Sequence, residues 1–470
     1  MSISNISIGQ EVIHPQFGTG HIMALYRQGT EWLVRFNNGL RLRRPHHEFQ
    51  NQTSQTILPT TITHPQFTPP PPTPTDQLEA RHLIEALRMG IAPAQYIHQL
   101  TINLQEERAS LDTALTQAVN LGGAVRAVIG EYGYGKSHLV ELTHHQALQR
   151  NFLVARISLD LLELPPHRAF DIYNQAMHSL TYPDTDESGL GPLLNQTADL
   201  TRIWPQLHEL SPFEHDPLIL GLRAIANTAS SRRRKIWTQW LMGARSRTYA
   251  MTKEIPKNVK FPTIYKNGKN ARQIAYLFTG ISTLARLAGY QGLCLLIDEA
   301  ESYSLLRAYQ RPKANQFFQA MIYATLRHHQ SKLDPSQFPQ HRYRDYPLAY
   351  DNGQSILFLF TVTHSDNRLP LHDWLNPDQI LTLTPNVPPQ ELSQFLATVL
   401  VYHQQAYNYT ADERQGQLKR AAAEIIAQSV RHGRLAIRQV VRLAVELFDL
   451  LYLHPDYDAA TLIEELRQNI

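Results

Sequence analysis

The spacing of apolar positions along the chain changes character three times. Over residues 1–50, short apolar runs at 22–25 and 32–36 are split by glycines and an Asn-Gly turn. That pattern predicts a small, strongly bent antiparallel barrel. Residues 51–76 lose it. Their proline-bearing part, from Pro59 to Pro74, predicts an extended, semi-rigid linker. From Gln77 onward the apolar residues fall at helical spacing over 80–88, and a second helix is predicted over 104–119. Strands and helices then alternate. The predicted strands are 125–129, 152–157, 293–297, 356–363 and 380–383, each a short, mostly apolar run that suits a strand buried on both faces. Beyond Pro389 the chain reads as helix to its last residue. The expectation is an α/β fold in four parts. These are a barrel at 1–50, a linker at 51–76, a core with a five-stranded parallel sheet at 77–386, and a helical lid at 387–470.

Composition narrows the class. At 470 residues the chain is long enough for two or three domains. The single cysteine, Cys294, excludes a disulfide framework and a multi-cysteine zinc site. No apolar run approaches the roughly 20 residues of a membrane helix, and the N-terminus lacks a signal-peptide pattern, so a soluble, cytoplasmic protein is expected. The adjacent histidines at 46–47, 144–145 and 328–329 point different ways on any regular element and are not expected to bind metal.

The net charge of +3 hides an asymmetry. Residues 232–272 hold twelve Lys/Arg and one acid, a local +11 that leaves −8 for the rest of the chain. This stretch lies in an insertion, about 185–272, before the third strand. Arg232, Arg233, Arg234, Lys235, Arg245, Arg247, Lys257 and Lys260 alternate with Trp237, Trp240, Tyr249, Phe261 and Tyr265. Cations with interleaved aromatics suit a nucleic-acid strand, so DNA is an expected partner.

The chemistry is concentrated at the strand ends. Gly130, Glu131, Tyr132, Gly133, Tyr134, Gly135, Lys136 and Ser137 match G-x-x-x-x-G-K-[ST] between a predicted strand and a helix that continues with His138. Such a loop turns its backbone N–H groups onto phosphates at a helix N-terminus. Lys136 is expected at the β- and γ-phosphates of ATP, and Ser137 on Mg2+. The strand at 293–297 ends in Asp298 and Glu299, the expected magnesium carboxylate and general base. The strand at 356–363 is expected to lie between these two, which brings Thr363, His364 or Ser365 near the γ-phosphate. An inserted strand of this kind defines the additional-strand ATPases, which include the AAA+ proteins. The segment Gly433, Arg434, Leu435, Ala436, Ile437, Arg438 resembles the second sensor of initiator-type AAA+ proteins. That resemblance implies that Arg438, or else Arg434, reaches the nucleotide from the lid. Arg311 and Arg307 are candidates for an arginine acting on a neighbouring subunit's ATP in a homo-oligomer.

Two family resemblances follow. Val12, His14, Phe17, Gly18, Gly20, Trp32, Val34, Phe36 and Gly39 resemble the SH3- or Tudor-like module of CarD-type transcription factors, which docks on RNA polymerase or another protein. The segments at 81–91, 130–137, 155–173 and 292–302 resemble the ATP-binding proteins of BREX-type phage-defence loci. That resemblance implies an AAA+-like ATPase partnered with a helicase or another defence protein, with Ile91 close to adenine. The resulting expectation is an ATP hydrolase that couples its nucleotide state to DNA or a helicase. The alternatives are a slow STAND-type nucleotide switch, or an adaptor recruiting RNA polymerase through the barrel.

Overall fold

The computed structural model describes residues 11–14, 18–26, 30–36, 41–51, 74–102, 104–196, 203, 206–209, 211, 216–243, 271–327, 331–339, 346–350, 354–364, 369–384, 387–454 and 456–469. The chain divides into two units, Met1–Pro71 and Pro72–Ile470.

The first unit carries β1 (Glu11–His14), β2 (Gly18–Tyr26), β3 (Glu31–Phe36), β4 (Arg41–Pro45) and β5 (Gln50–Asn51). They pair antiparallel in the order β4-β3-β2-β1-β5. A register shift between Ile22 and Ala24 marks a bulge in β2, which sharpens local twist. The sheet buries Val12, Ile22, Trp32, Val34 and Phe49, with Trp32 stacked on Phe49 at 5.4 Å.

The second unit is built on β6 (Gly123–Gly130), β7 (Phe152–Ser158), β8 (Leu180–Thr181), β9 (Gly292–Asp298), β10 (Ile356–Thr363) and β11 (Ile380–Thr382). Their order is β11-β6-β10-β9-β7-β8. β10 does lie between the P-loop strand β6 and the Asp-Glu strand β9. The five expected strands are present and parallel, and the expected five-stranded sheet is corrected to six strands by an added edge strand. β8 pairs antiparallel on the edge of β7, and at two residues it is too short to leave a periodic signature.

Helices cover both faces. The helices α1 (Pro74–Arg88), α2 (Gln105–Leu121), α3 (Lys136–Gln149), α4 (Ala169–His178) and α5 (Leu190–Gln196) precede the insertion helices α6 (Pro217–Ala226) and α7 (Ser231–Leu241). Then come α8 (Ala271–Leu287), α9 (Arg311–Leu326), α10 (Pro389–Tyr407), α11 (Glu413–Arg431), α12 (Ile437–Leu453) and α13 (Ala459–Asn469). On one face Val125, Ala127, Phe358 and Phe360 pack with α4 and α6–α9. On the other, Ala124, Val128, Cys294, Leu296 and Leu357 pack with α2 and α3. Arg126 shares that second face yet is only 4% exposed. It donates to the Val125 carbonyl and to Gln117 on α2, which satisfies a charge that an apolar strand would otherwise reject.

A separate core forms among α10–α13, and α1 belongs to it: Ala80, Leu83, Ile84 and Leu87 pack with Leu396, Val399, Val445 and Phe448. Among the described residues no helix is long and apolar enough to cross a membrane.

Candidate nucleotide site

Parallel register brings the polar strand ends to one edge. Thr363 pairs with Gly130, and Ser158 with Asp298. In open α/β sheets that edge is where ligands bind. A cavity of about 570 Å³ opens there, lined by the P-loop, Asp298, Glu299, Glu301, Arg156, Arg438 and an apolar wall.

The P-loop turns tightly from β6 into α3. Gly135 is the residue before α3 at φ 93°, with nothing within 4 Å of an added Cβ, so backbone conformation alone asks for glycine. Gly133 is constrained by space as well, since a Cβ there would meet that of Ala436 at 2.9 Å. Lys136 is 8% exposed, and its Nζ donates to the carbonyls of Gly130 at 3.0 Å and Glu131 at 3.2 Å. It is thus a buried cation resting on loop carbonyls, with the anion-binding loop wrapped around it. Ser137 is exposed beside it, and Glu131, Tyr132 and Tyr134 complete the turn, closed by Tyr134 N–H to the Glu131 carbonyl. Tyr132, Tyr134, Ser137 and His138 all line the cavity. The Thr101 hydroxyl donates to the Ile97 carbonyl, so His138 Nε2–H donates to Thr101 at 2.9 Å. Burial, with His98 nearby, pushes His138 down to about 4, and its ring is neutral at neutral pH.

The opposite wall is acidic and ordered. Asp298 is 6% exposed. Its Oδ1 accepts from the Thr361 hydroxyl at 2.5 Å and from Glu299 N–H at 3.0 Å. Glu299 sits at φ 58°, a left-handed conformation that costs a non-glycine residue of order 1 kcal/mol and is held by these bonds. Its Oε2 accepts from Ser158 at 2.9 Å. Burial, with Asp298, Glu301 and Asp160 nearby, nonetheless raises the Glu299 carboxyl above its ordinary value. Thr363, one of three residues expected near the γ-phosphate, donates to Glu301 at 2.6 Å. His364 is exposed, and Ser365 lies outside the described residues.

The C-terminal helices reach the loop through Arg438 at the start of α12. Its guanidinium donates to the Tyr132 hydroxyl at 2.8 Å, and its backbone N–H to the Gly133 carbonyl at 3.3 Å. Ile91, expected near adenine, forms the apolar wall with Ile97, Leu100, Val387, Ile437 and Val441. Arg434, Arg307 and Arg311 are not among the cavity's lining residues. Arg311 opens α9 and donates to the carbonyls of Ser304 and Leu306.

Two features of the site escaped the sequence. Arg156, on β7, pairs with Glu141 on α3 inside the cavity wall. Burial lowers the pKa of this guanidinium, although Asp298 pulls the other way. Glu301 also faces the cavity. Arg156 stood out only as a charge within an apolar strand, and Glu301 as a third acid after the strand end.

The expected nucleic-acid segment is seen in part. Arg232, Arg233, Arg234 and Lys235 are exposed in the first turns of α7. The aromatic interleaving is corrected. Trp237 and Trp240 are 1% and 4% exposed and meet edge to face at 5.5 Å in the core, because three-residue spacing puts both on the inner helix face. Arg245, Arg247, Lys257, Lys260, Tyr249, Phe261 and Tyr265 lie outside the described residues.

The strand order, the glycine loop opening α3 and the acidic strand end define a P-loop nucleotide-binding fold. Residues 76–198 match a family described as BREX system ATP-binding protein BrxC/D. No curated protein matches the chain. Among solved structures the chain is similar to the Walker-type ATPase paby2304 of Pyrococcus abyssi, at 9% identity and a TM-score of 0.32, over 78% of this chain and 76% of that one.

Proposed function

We propose that this chain is a magnesium-dependent AAA+-type ATPase acting in anti-phage defence, its nucleotide state coupled to DNA or to a helicase partner. The observation that carries the reading is the shared cavity, in which Lys136, Asp298, Glu299 and Arg438 meet. A triphosphate fits what is present: a buried lysine on loop carbonyls, a helix N-terminus, and an apolar wall for a base. Magnesium fits the hard oxygen donors of Ser137 and Asp298 and, when bound, offsets phosphate charge. Glu299 takes the proton of the water whose oxygen attacks the γ-phosphorus, while the bond to the β,γ-bridging oxygen breaks and ADP departs. Lys136 and Arg438 offset the charge that develops on the phosphates. The match over residues 76–198 supports the defence setting.

Support for a polyanion partner comes from α7. Four cations stand at the helix end whose dipole is already positive, and Ser230 adds no side-chain cap. This clustering is unfavourable in the chain by itself and favourable against phosphates. Burial of Trp237 and Trp240 removes them as a stacking platform, so backbone charge is the proposed mode of contact.

The test is ATP turnover with and without DNA at two salt concentrations. Lys136→Ala is expected to lower turnover by about a hundredfold or more, and Glu299→Gln comparably. Replacing Arg232–Lys235 by glutamine should abolish stimulation by DNA and leave basal turnover intact. Turnover that persists in Lys136→Ala would refute the assignment of the site. Stimulation that ignores both salt and the α7 replacement would refute DNA contact there.

A further inference from the structure

The first turn of α12 touches two other parts of the chain, and both meet it through glycine. Gly90 closes α1. Its N–H donates to the Leu87 carbonyl at 2.8 Å, that of Ile91 donates to the Ala86 carbonyl at 2.9 Å, and Gly90 stands at φ 73°. This is the left-handed turn that commonly ends a helix on glycine. Conformation is only part of the requirement here. A Cβ on Gly90 would lie 2.7 Å from Arg438 Cγ, 3.1 Å from the Arg438 carbonyl oxygen and 3.2 Å from Arg442 Cγ. Cγ is too near the backbone to swing clear, so Arg438 itself would have to shift. From the P-loop, a Cβ on Gly133 would meet that of Ala436 at 2.9 Å, and the Gly133 carbonyl accepts from Arg438 N–H at 3.3 Å. Gly90, Gly133 and Arg438 all line the nucleotide cavity.

Gly289 shows what conformation alone asks. It closes α8 by the same pair of bonds, its N–H to the Arg286 carbonyl and that of Tyr290 to the Ala285 carbonyl, both at 3.0 Å. It stands at φ 99°, with nothing within 4 Å of an added Cβ, and is not among the cavity's lining residues. We infer that Gly90 is a positioning residue for Arg438. Its missing side chain lets α12 begin against the end of α1, where the Arg438 guanidinium reaches the Tyr132 hydroxyl of the P-loop at 2.8 Å. The inference rests on the ATPase reading, in which Arg438 offsets charge on the phosphates. It adds that the last turn of α1 sets the place of that arginine. A glycine that only closed a helix would affect stability and leave the arginine's share of turnover intact.

The experiment compares Gly90→Ala, Gly90→Asn and Gly289→Ala with Arg438→Ala, Lys136→Ala and the double variant Gly90→Ala/Arg438→Ala in the full chain. It reads kcat, KM and melting temperature. Gly90→Ala and Gly289→Ala each place a side chain at positive φ, so both should melt below wild type. Asparagine tolerates that conformation better yet brings the same Cβ, so Gly90→Asn should melt above Gly90→Ala and turn over no faster. Gly90→Ala is expected to lower kcat about tenfold, divided between kcat and KM as in Arg438→Ala, because a small misplacement of a catalytic group is costly. Gly289→Ala should stay within about twofold of wild type. In the double variant the effects should not multiply, and its kcat should match that of Arg438→Ala within about twofold. The inference falls, with the ATPase reading intact, if Lys136→Ala is slow while Gly90→Ala turns over like Gly289→Ala, Gly90→Asn regains the wild-type rate, or the two effects multiply. If Lys136→Ala turns over at the wild-type rate, the ATPase reading falls and takes the inference with it.

Discussion

The sheet region and the C-terminal helices each hold a carboxylate between helices, buried in the first and half-buried in the second, and they satisfy it in opposite ways. In the sheet region Asp216 is 3% exposed at the N-terminus of α6. It accepts from neutral donors only: Leu218 N–H at 2.7 Å, Ser211 at 2.9 Å, Tyr276 at 2.7 Å, and the hydroxyl of Tyr350. Among the C-terminal helices, Asp449 on α12 accepts from cationic or ionisable groups. Arg88 from α1 forks onto both its oxygens at 2.8 and 3.0 Å, and His403 from α10 reaches it at 3.0 Å. Burial raises Asp216 above the ordinary carboxylate value despite its hydrogen bonds. Burial also pushes Asp449 up, but there His403 and Arg88 outweigh it and hold the group below its ordinary value. Deeper burial with neutral donors thus leaves Asp216 less stabilised as an anion, whereas shallower burial with a cation and an imidazole favours the anion of Asp449. The first solution ties the insertion to α8 and to the segment just before β10. The second ties α1, which precedes the P-loop in sequence, to the helices that carry Arg438.

Breaking each knot should expose this difference. Asp216→Ala removes a helix cap and takes an acceptor from the Tyr276 and Tyr350 hydroxyls in the core, so a loss of about 3 kcal/mol is expected in denaturant unfolding. Asp216→Asn, which keeps an acceptor, should lose clearly less. Asp449→Ala is expected to cost about 2 kcal/mol, because Arg88 and His403 each lose one partner, while Arg88 keeps Glu85, Tyr407 and some water and His403 keeps Tyr409. Its effect should extend to function: with α1 loosened, nucleotide affinity should fall while the sheet's own unfolding is little changed. Equal losses of affinity in Asp216→Ala and Asp449→Ala would remove the distinction.

Much of this was legible in the sequence for a physical reason. A strand buried on both faces must be continuously apolar, so β6, β7, β9 and β10 announce themselves, and the P-loop and the acids lie where those runs end. What stayed hidden depends on register and on long-range packing. Thr363 meets Glu301 only because β10 lies beside β9, and Arg156 meets Glu141 only because α3 packs on β7. The apolar face of α1 gave its helix away, but not its partners more than 300 residues later along the chain, such as Arg88 with Asp449. The tryptophans of α7 show the reverse error. Their neighbours' charge suggested exposure, and their spacing placed them inside.

The smallest expected effect is the most diagnostic, because the two carboxylates should bend the stability curve in opposite directions. Asp449 has a lowered folded pKa, so at and above its unfolded value it contributes stability that is lost as pH falls through the folded value. Asp216 has a raised folded pKa. Its ionised form is penalised above that value, so the protein gains stability as pH falls through the folded value toward the unfolded one. Acid-range unfolding of Asp449→Asn should therefore lose a positive slope of stability with pH, and that of Asp216→Asn a negative one. Two slopes of the same sign would mean that cationic and neutral donors satisfy these buried acids equally. In that case Arg88 could be replaced by methionine without loosening α1, which would stay tied to α10 by its apolar packing and by Gln77 and Arg81 on the Ala406 carbonyl.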